Sequence, residues 1–228
     1  MTLLIGKRYQ DKLAQSLAAQ WIDAFWIPDN PAVDTRLAGH ADLSVFVSGR
    51  KAVVAQGIYP YIVNYLTNVG FQVTMAREQG KQYPMDAGLC LCDTGKYLIY
   101  NPKTADPAAV AISASRPVCV SQGYTKCAAC IVNEQSIITS DASVSRAAKN
   151  AGMDVLEITP GNIALDGFDY GFIGGASFKI NNNVIAFTGT LDAHPDKEQI
   201  LCFVAKHGLE PVFLTQEPIF DIGGAISV

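Results

Sequence analysis

The sequence predicts a single α/β domain with fivefold pseudosymmetry, in which strand–strand–helix–strand units close into a propeller-like ring. Three observations lead to this fold class. Apolar residues make up 49% of the 228-residue chain, enough for one continuous core. The hydrophobic pattern repeats at roughly 40–50 residues, a period typical of arrays and propellers. The two chain ends carry the two parts of one further unit, so we expect residues 1–228 to form one domain.

Four units are complete within the chain, each with two strands joined by a turn, an amphipathic helix and a third strand. The first covers strands 41–47 and 51–55, helix 59–70 and strand 71–75. The second covers strands 86–92 and 96–100, helix 107–113 and strand 117–121. The third covers strands 126–133 and 135–139, helix 141–151 with Asp141 as its N-cap, and strand 155–159. The fourth covers strands 170–180 and 184–188, helix 195–207 and strand 211–214.

The fifth unit is predicted to combine both termini. Strand 3–5, helix 9–20 and strand 23–27 begin the chain, and strand 224–228 ends it. Pairing the last strand with the first closes the ring and removes the open sheet edges that favour aggregation. The first strand of each unit is then expected to line a central channel.

Residues 160–178 are unusually rich in glycine and acid. Gly167, Gly171, Gly174 and Gly175 accompany Asp166 and Asp169 in this segment. Glycine is favoured where the backbone needs positive φ or must approach another group closely. We therefore expect this segment to form a backbone wall beside a site.

Composition excludes several classes of function. The formal net charge is −4 and the basic residues are scattered, which argues against nucleic-acid binding. No apolar run reaches the ~18 residues of a membrane span, and the N-terminus lacks a signal-peptide pattern. The six cysteines are therefore read as reduced thiols in a cytoplasmic protein.

Four motifs carry a resemblance to a known family: QGYTKC at 122–127, IITSD at 137–141, DYGFIGG at 169–175 and GTLDAHPD at 189–196. In combination they resemble a bacterial domain family, itself without an assigned reaction, of the pentein, or guanidino-modifying-enzyme, fold. That fold includes arginine and agmatine deiminases, amidinotransferases and dimethylarginine hydrolases. The resemblance extends over nearly the whole chain and implies the same fivefold propeller.

The resemblance also implies where chemistry would lie. Active members use carboxylates of the first two units to hold a guanidinium, a third-unit His, and a Cys nucleophile on the closing strand. Asp42 and Asp86 match the carboxylates, but the His position falls at Tyr124 to Lys126 and Ser227 stands where the Cys is expected. The usual Cys/His dyad is therefore predicted to be missing.

The sequence also contains other candidate catalytic residues. Cys127 follows Lys126, whose charge would favour a thiolate, and His40 lies two residues before Asp42. Lys126 with Ser227 could alternatively form a Ser–Lys dyad. Cys127 and Cys130 have a metal-like spacing, but no second pair completes four ligands, so no metal and no cofactor are expected.

Two functions from different classes remain open, and a third possibility is a non-catalytic scaffold. The leading hypothesis is an acid-lined pocket that binds a small cationic or amino-acid-like ligand, with Asp42, Asp86, Tyr124, Asp169 and Asp221 around it. The alternative is a hydrolase or amidinotransferase-like enzyme acting on a C–N bond through Cys127, Lys126, His40 or Ser227. A small-molecule partner is expected, without nucleic acid or membrane; a homo-oligomer remains open.

Overall fold

The computed structural model describes residues 2–228 and contains five three-stranded sheets arranged as five units. In each unit an antiparallel pair of strands is followed by a helix and a third strand parallel to the second. This is the predicted strand–strand–helix–strand order.

The strands and helices of the units have the following bounds. The first unit contains β3 (Val45–Ser48), β4 (Lys51–Val54), α2 (Tyr59–Asn68) and β5 (Gln72–Met75). The second contains β6 (Cys92–Asp93), β7 (Tyr97–Tyr100), α3 (Pro107–Ile112) and β8 (Arg116–Cys119). The third contains α4 (Thr125–Ala128), β9 (Ala129–Asn133), β10 (Ser136–Thr139), α5 (Ala142–Asn150) and β11 (Asp154–Glu157). The fourth contains β12 (Ser177–Lys179), β13 (Val184–Phe187), α6 (Lys197–Lys206) and β14 (Glu210–Phe213).

The fifth unit is assembled from both ends of the chain, as predicted. It contains β1 (Thr2–Gly6), α1 (Gln10–Ala19), β2 (Asp23–Ile27) and the closing strand β15 (Ile226–Ser227). β15 pairs antiparallel with β1, placing Ser227 opposite Leu3, and β1 pairs parallel with β2. The ring is therefore closed by hydrogen bonds between the two termini.

The inner end of each unit differs from the prediction. The sequence placed continuous first strands at 41–47, 86–92 and 126–133, whereas short helical turns occupy Ala41–Leu43, Ala87–Leu89 and α4 before each strand. The cause is the crowding at the ring axis, where backbone groups bond to the neighbouring unit instead of extending a ladder. Asp42 N donates to Gly223 O, and Gly175 N donates to Cys127 O.

The hydrophobic core lies between neighbouring sheets rather than in one central mass. One cluster joins Leu4 of β1, Val53 of β4 and Leu98 of β7, all buried. Another joins Ile138 of β10 with Phe187 of β13. Each sheet is thus stabilised by apolar contact with the neighbouring unit. Among residues 2–228, no helix combines the length and apolar character needed to cross a bilayer.

Asp141 is confirmed as the N-cap of α5. Its Oδ1 accepts hydrogen bonds from Ser143 N at 2.8 Å and Val144 N at 2.9 Å, and Oδ2 accepts one from Gln122 Nε2. Burial of this carboxyl opposes its ionisation, but the hydrogen bonds from Val144, Ser143 and Gln122 outweigh that effect and lower its pKa.

We predict that Asp141→Ala lowers the free energy of unfolding by about 1 kcal/mol at neutral pH, the usual cost of losing such a cap. Because the pKa is lower in the folded state, the ionised cap stabilises above the unfolded-state value of about 4. That stabilisation is lost as the pH falls through the folded-state pKa. Urea unfolding at pH 7 and in acid should therefore show the difference from the parent protein shrinking in acid.

The control for this prediction is Asp192→Ala, which removes an exposed ion pair with Lys197. We expect that variant to keep the stability of the parent protein at both pH values, because an exposed ion pair contributes little. An Asp141→Ala variant as stable as the parent at neutral pH would contradict the capping role.

Candidate functional site

A cavity of about 440 Å³ lies at the inner ends of the units, within the range of small-molecule sites. Its polar lining side chains are His40, Gln122, Cys127, Asp169 and Asp221, together with the hydroxyls of Tyr83, Tyr124 and Tyr170. The remaining lining is apolar and consists of Leu37, Leu43, Leu165, Phe168 and Phe172. No lysine or arginine is among these lining residues.

His40, Asp42 and Cys127 form the polar centre of this site. Each offers a donor atom, and these atoms all lie within 4.8 Å of one another. Asp42 is buried behind the cavity surface, where its Oδ2 accepts a hydrogen bond from Cys127 Sγ at 2.7 Å. A short turn at Ala41–Leu43 replaces the predicted strand. His40 and Asp42 nevertheless lie on the same side of the backbone, as the strand prediction implied.

Cys90 also belongs to this centre and was not among the predicted site residues. Its Sγ donates to the same Asp42 Oδ2 at 3.0 Å. Cys90 and Cys127 each stand two residues before the first strand of their unit. This repeat equivalence is the sequence signal that could have identified Cys90.

The surroundings of both thiols raise their pKa. Burial raises the pKa of Cys90 to about 11. The hydrogen bond with Cys90, followed by burial and the nearby charges of Asp221 and Asp42, raises the pKa of Cys127 well above its usual value. Lys126 does not reverse this, because its Nζ lies 3.4 Å from Gly174 O and outside the cavity lining.

Asp86 and Tyr124 form a second polar pair. Tyr124 lines the cavity and its hydroxyl donates to Asp86 Oδ2 at 2.7 Å. Asp86 is only 2% exposed, and burial raises the pKa of its carboxyl. Burial also raises the pKa of the Tyr124 hydroxyl, as does its bond to Asp86. Asp86, the carboxylate of the second unit, is thus linked to the cavity by its hydrogen bond with Tyr124.

Asp221 is held in place by the backbone. Its Oδ1 accepts from Gly223 N at 2.8 Å and its Oδ2 from Phe172 N at 2.9 Å. Burial raises the pKa of this carboxyl, with its remaining surface facing the cavity. A side chain at Gly175 would overlap the Asp221 carboxylate, and one at Gly171 would overlap its Cβ. The glycine wall predicted at 160–178 therefore packs around this acid.

The other predicted site residues are distributed as follows. Asp169 lines the cavity. Ser227 lies on β15, is exposed, and is not part of the cavity lining. Within residues 2–228 no hydrogen bond joins Ser227 to Lys126. Of the predicted site residues, the cavity is lined by His40, Tyr124, Cys127, Asp169 and Asp221. Asp42 and Asp86 are not part of the lining but bond to lining residues, Asp42 to Cys127 and Asp86 to Tyr124. Lys126 and Ser227 are also outside the lining.

Five sheets of this topology, closed by both termini around a central acid-bearing cavity, define the pentein fold. Solved structures of that fold are similar to the chain at low sequence identity. An arginine dihydrolase from the ornithine–ammonia cycle in cyanobacteria is 11% identical with a TM-score of 0.60, over 98% of this chain and 38% of that one. The chain thus spans well under half of that protein.

Two further structures show the same likeness. A dimethylarginine dimethylaminohydrolase is 11% identical with a TM-score of 0.61, over 93% of this chain and 91% of that one. An agmatine deiminase of C. jejuni is 10% identical with a TM-score of 0.55, over 93% and 86%. Comparison with the curated proteins gives no significant match. A model described as a family of unknown function, DUF6873, matches residues 4–226, and the chain belongs to that family.

We predict that Gly175→Ala destabilises the protein by roughly 1–3 kcal/mol, the range for overpacking, because the new methyl group displaces Asp221. Chemical denaturation followed by fluorescence measures the change. The matched control is Gly88→Ala, where the nearest atoms to an added Cβ lie at 3.8 Å. That variant should keep its stability or gain about 0.4–1 kcal/mol. Equal stability of the two variants would contradict the packing described for Asp221.

Proposed function

We propose that this protein binds a small cationic ligand of guanidino type in the cavity beside His40, Cys127 and Asp221. The observation that carries the proposal is a set of three buried carboxylates without a cationic partner. Asp42, Asp86 and Asp221 are 1%, 2% and 3% exposed. None of them takes part in an ion pair within residues 2–228.

Buried carboxylates without a partner are unfavourable, so such a group either stays protonated or binds a cation. Asp42 Oδ1 and Asp86 Oδ1 accept no hydrogen bond from the described residues, although both atoms are buried. A guanidinium is planar and carries five N–H donors, which suits two acceptors approaching from different directions. Acceptors and charge together therefore support a guanidinium over a simple ammonium ion.

The cavity lining also indicates the chemical character of the rest of the ligand. Leu37, Leu43, Phe168 and Phe172 offer apolar contact, and the lining itself includes no lysine or arginine to pair with a carboxylate. Asp169 provides a further negative charge that suits a second cationic group. We therefore propose a ligand with a cationic head and an apolar body that lacks a carboxylate.

We predict that agmatine raises the melting temperature of the purified protein more than arginine does, and that neutral citrulline has no effect. Ligand binding stabilises by mass action, by about 2.7 kcal/mol at a ligand concentration of 100 times Kd. Asp86→Asn keeps an acceptor for Tyr124 but removes the charge, and should weaken the agmatine shift. Differential scanning fluorimetry over a concentration series measures each effect.

The matched control is Asp166→Asn. Asp166 adjoins the cavity residue Leu165 but lines a neighbouring cleft instead. Its substitution should leave the agmatine shift intact. The proposal fails if neither agmatine nor arginine shifts the melting temperature. The proposal that the ligand lacks a carboxylate fails if arginine raises the melting temperature as much as agmatine does, or more.

A second candidate function is hydrolysis of a guanidino C–N bond, favoured by the position of Cys127 in the cavity beside His40. In this reaction Cys127 Sγ would bond to the guanidinium carbon while ammonia leaves with a proton relayed through the imidazole. Water would then break the S–C bond, releasing a ureido product and restoring the thiol. A bound cation between the acids would favour the thiolate electrostatically.

We predict for this candidate that incubation with agmatine forms ammonia and a ureido product, detected by mass spectrometry. Cys127→Ser should abolish product formation while retaining the ligand-induced thermal shift. Cys130→Ser, a buried cysteine on β9, is the control and should stay active. Loss of activity in Ser227→Ala but not in Cys127→Ser would instead assign the reaction to the Ser–Lys alternative. Binding of agmatine without formation of a product would contradict hydrolysis and support only the binding function.

A further inference from the structure

The arrangement of His40, Asp42 and Cys127 has a second chemical property besides negative charge. It combines imidazole nitrogen, carboxylate oxygen and thiol sulfur, which are the three ligand types of protein zinc sites. The donor atoms lie within 4.8 Å of one another and the three residues are 2%, 1% and 4% exposed. Ligation at 2.0–2.3 Å would place them about 3.5 Å apart, a closure within reach of side-chain rotation.

Two buried atoms of this cluster have no hydrogen-bond partner among residues 2–228. They are His40 Nε2 and Asp42 Oδ1. Buried polar atoms in native proteins nearly always have a partner, so each exception calls for an explanation. A metal ion at the centre of the cluster satisfies both residues at once. The hydrogen now shared by Cys127 Sγ and Asp42 Oδ2 would be replaced by the same ion.

We propose that His40, Asp42 and Cys127 form a binding site for a zinc-like divalent cation with one coordination position open to the cavity. The charges support this assignment. One thiolate, one carboxylate and a neutral imidazole balance the two positive charges of the ion, leaving a neutral buried centre. His40 and Cys127 both line the cavity, so the fourth position is accessible to water or a ligand.

The neighbouring groups act as supports rather than further ligands. Both oxygens of Asp221 already accept backbone hydrogen bonds from Gly223 and Phe172. Cys90 donates to Asp42 Oδ2 and would orient that carboxylate from outside the coordination sphere. Gly223 has φ of +72° and lies against His40, where any side chain would overlap the imidazole-bearing carbon. The local backbone thus leaves room for His40 to face the cluster.

The metal site is a separate proposal from the binding of an organic cation, and it requires a different set of residues. Asp42 serves both cations, so metal and guanidino ligand would compete. Asp86 belongs to the organic cation alone, and Cys127 is a metal ligand whose substitution by Ser should leave the agmatine shift intact. The two proposals can therefore fail separately.

The test is titration of the EDTA-treated, reduced protein with Co²⁺, followed by displacement with Zn²⁺. Cobalt reports its ligands optically, and we expect a thiolate-to-metal charge-transfer band together with the intense visible bands of a tetrahedral centre. Zn²⁺ should remove both. His40→Ala and Asp42→Asn should weaken binding by more than about 100-fold, above the range for loss of an outer-sphere group.

Cys127→Ser should abolish the charge-transfer band, and Cys130→Ser should retain it as the matched buried-cysteine control. Asp86→Asn should bind Co²⁺ as the parent protein does, even where its agmatine shift is lost. The proposal is overturned if the parent protein gives no thiolate–cobalt band, or if the band persists in Cys127→Ser, which would place the metal on another cysteine such as exposed Cys119 or Cys202.

Discussion

Pairing of the two chain ends is the constraint on which the rest of the structure depends. β15 contributes only two residues to the sheet with β1, yet this pairing joins the chain end that follows the fourth unit to the fifth unit. Asp221, Gly223 and Gly224 lie just before that strand, where hydrogen bonds from Asp221 N to Ala164 O and from Gly224 N to Gly175 O hold this segment beside residues 160–178. Asp42 N then bonds to Gly223 O across the junction. The site is therefore a product of ring closure.

The centre of the ring is built at a cost in stability. Asp42, Cys90, Cys127 and Asp221 are buried around one point, and burial raises the pKa of Cys90 and of Asp221. Such groups are usually paired with cations or replaced by apolar residues. Apolar clusters between adjacent sheets offset the cost, because each cluster joins strands of different units. Stability is thus supplied around the ring, while its centre stays polar.

The sequence was sufficient to predict the ring because its units are local and repeated. Each helix follows a hairpin and precedes a parallel strand, and hydrophobic periodicity reveals all three. Asp141 was equally predictable, since an N-cap depends only on the residues that follow it. The resemblance to the pentein fold then directed attention to Asp42 and Asp86.

The inner turns were harder to predict because their hydrogen bonds come from other units. Nothing within residues 86–92 or 126–133 indicates that the backbone must turn to meet a neighbour at the axis. The contact of Cys90 and Cys127 with one oxygen of Asp42 joins three segments far apart in sequence. Ser227 is exposed although its partner in the pairing with β1 is the buried Leu3, a difference that the local sequence does not indicate.

Equivalent positions in the five units have a consequence for how such proteins diverge. Two residues before the first strand of each unit stand Leu43, Cys90, Cys127, Gly175 and Gly224. Leu43 and Cys127 line the cavity, and Cys90 reaches the same centre through its bond to Asp42. Side chains at Gly175 and Gly224 would instead meet Asp221 and Lys126. Evolution can therefore relocate a functional group among the first three units with little change to the scaffold, whereas the fourth and fifth units need glycine at this position.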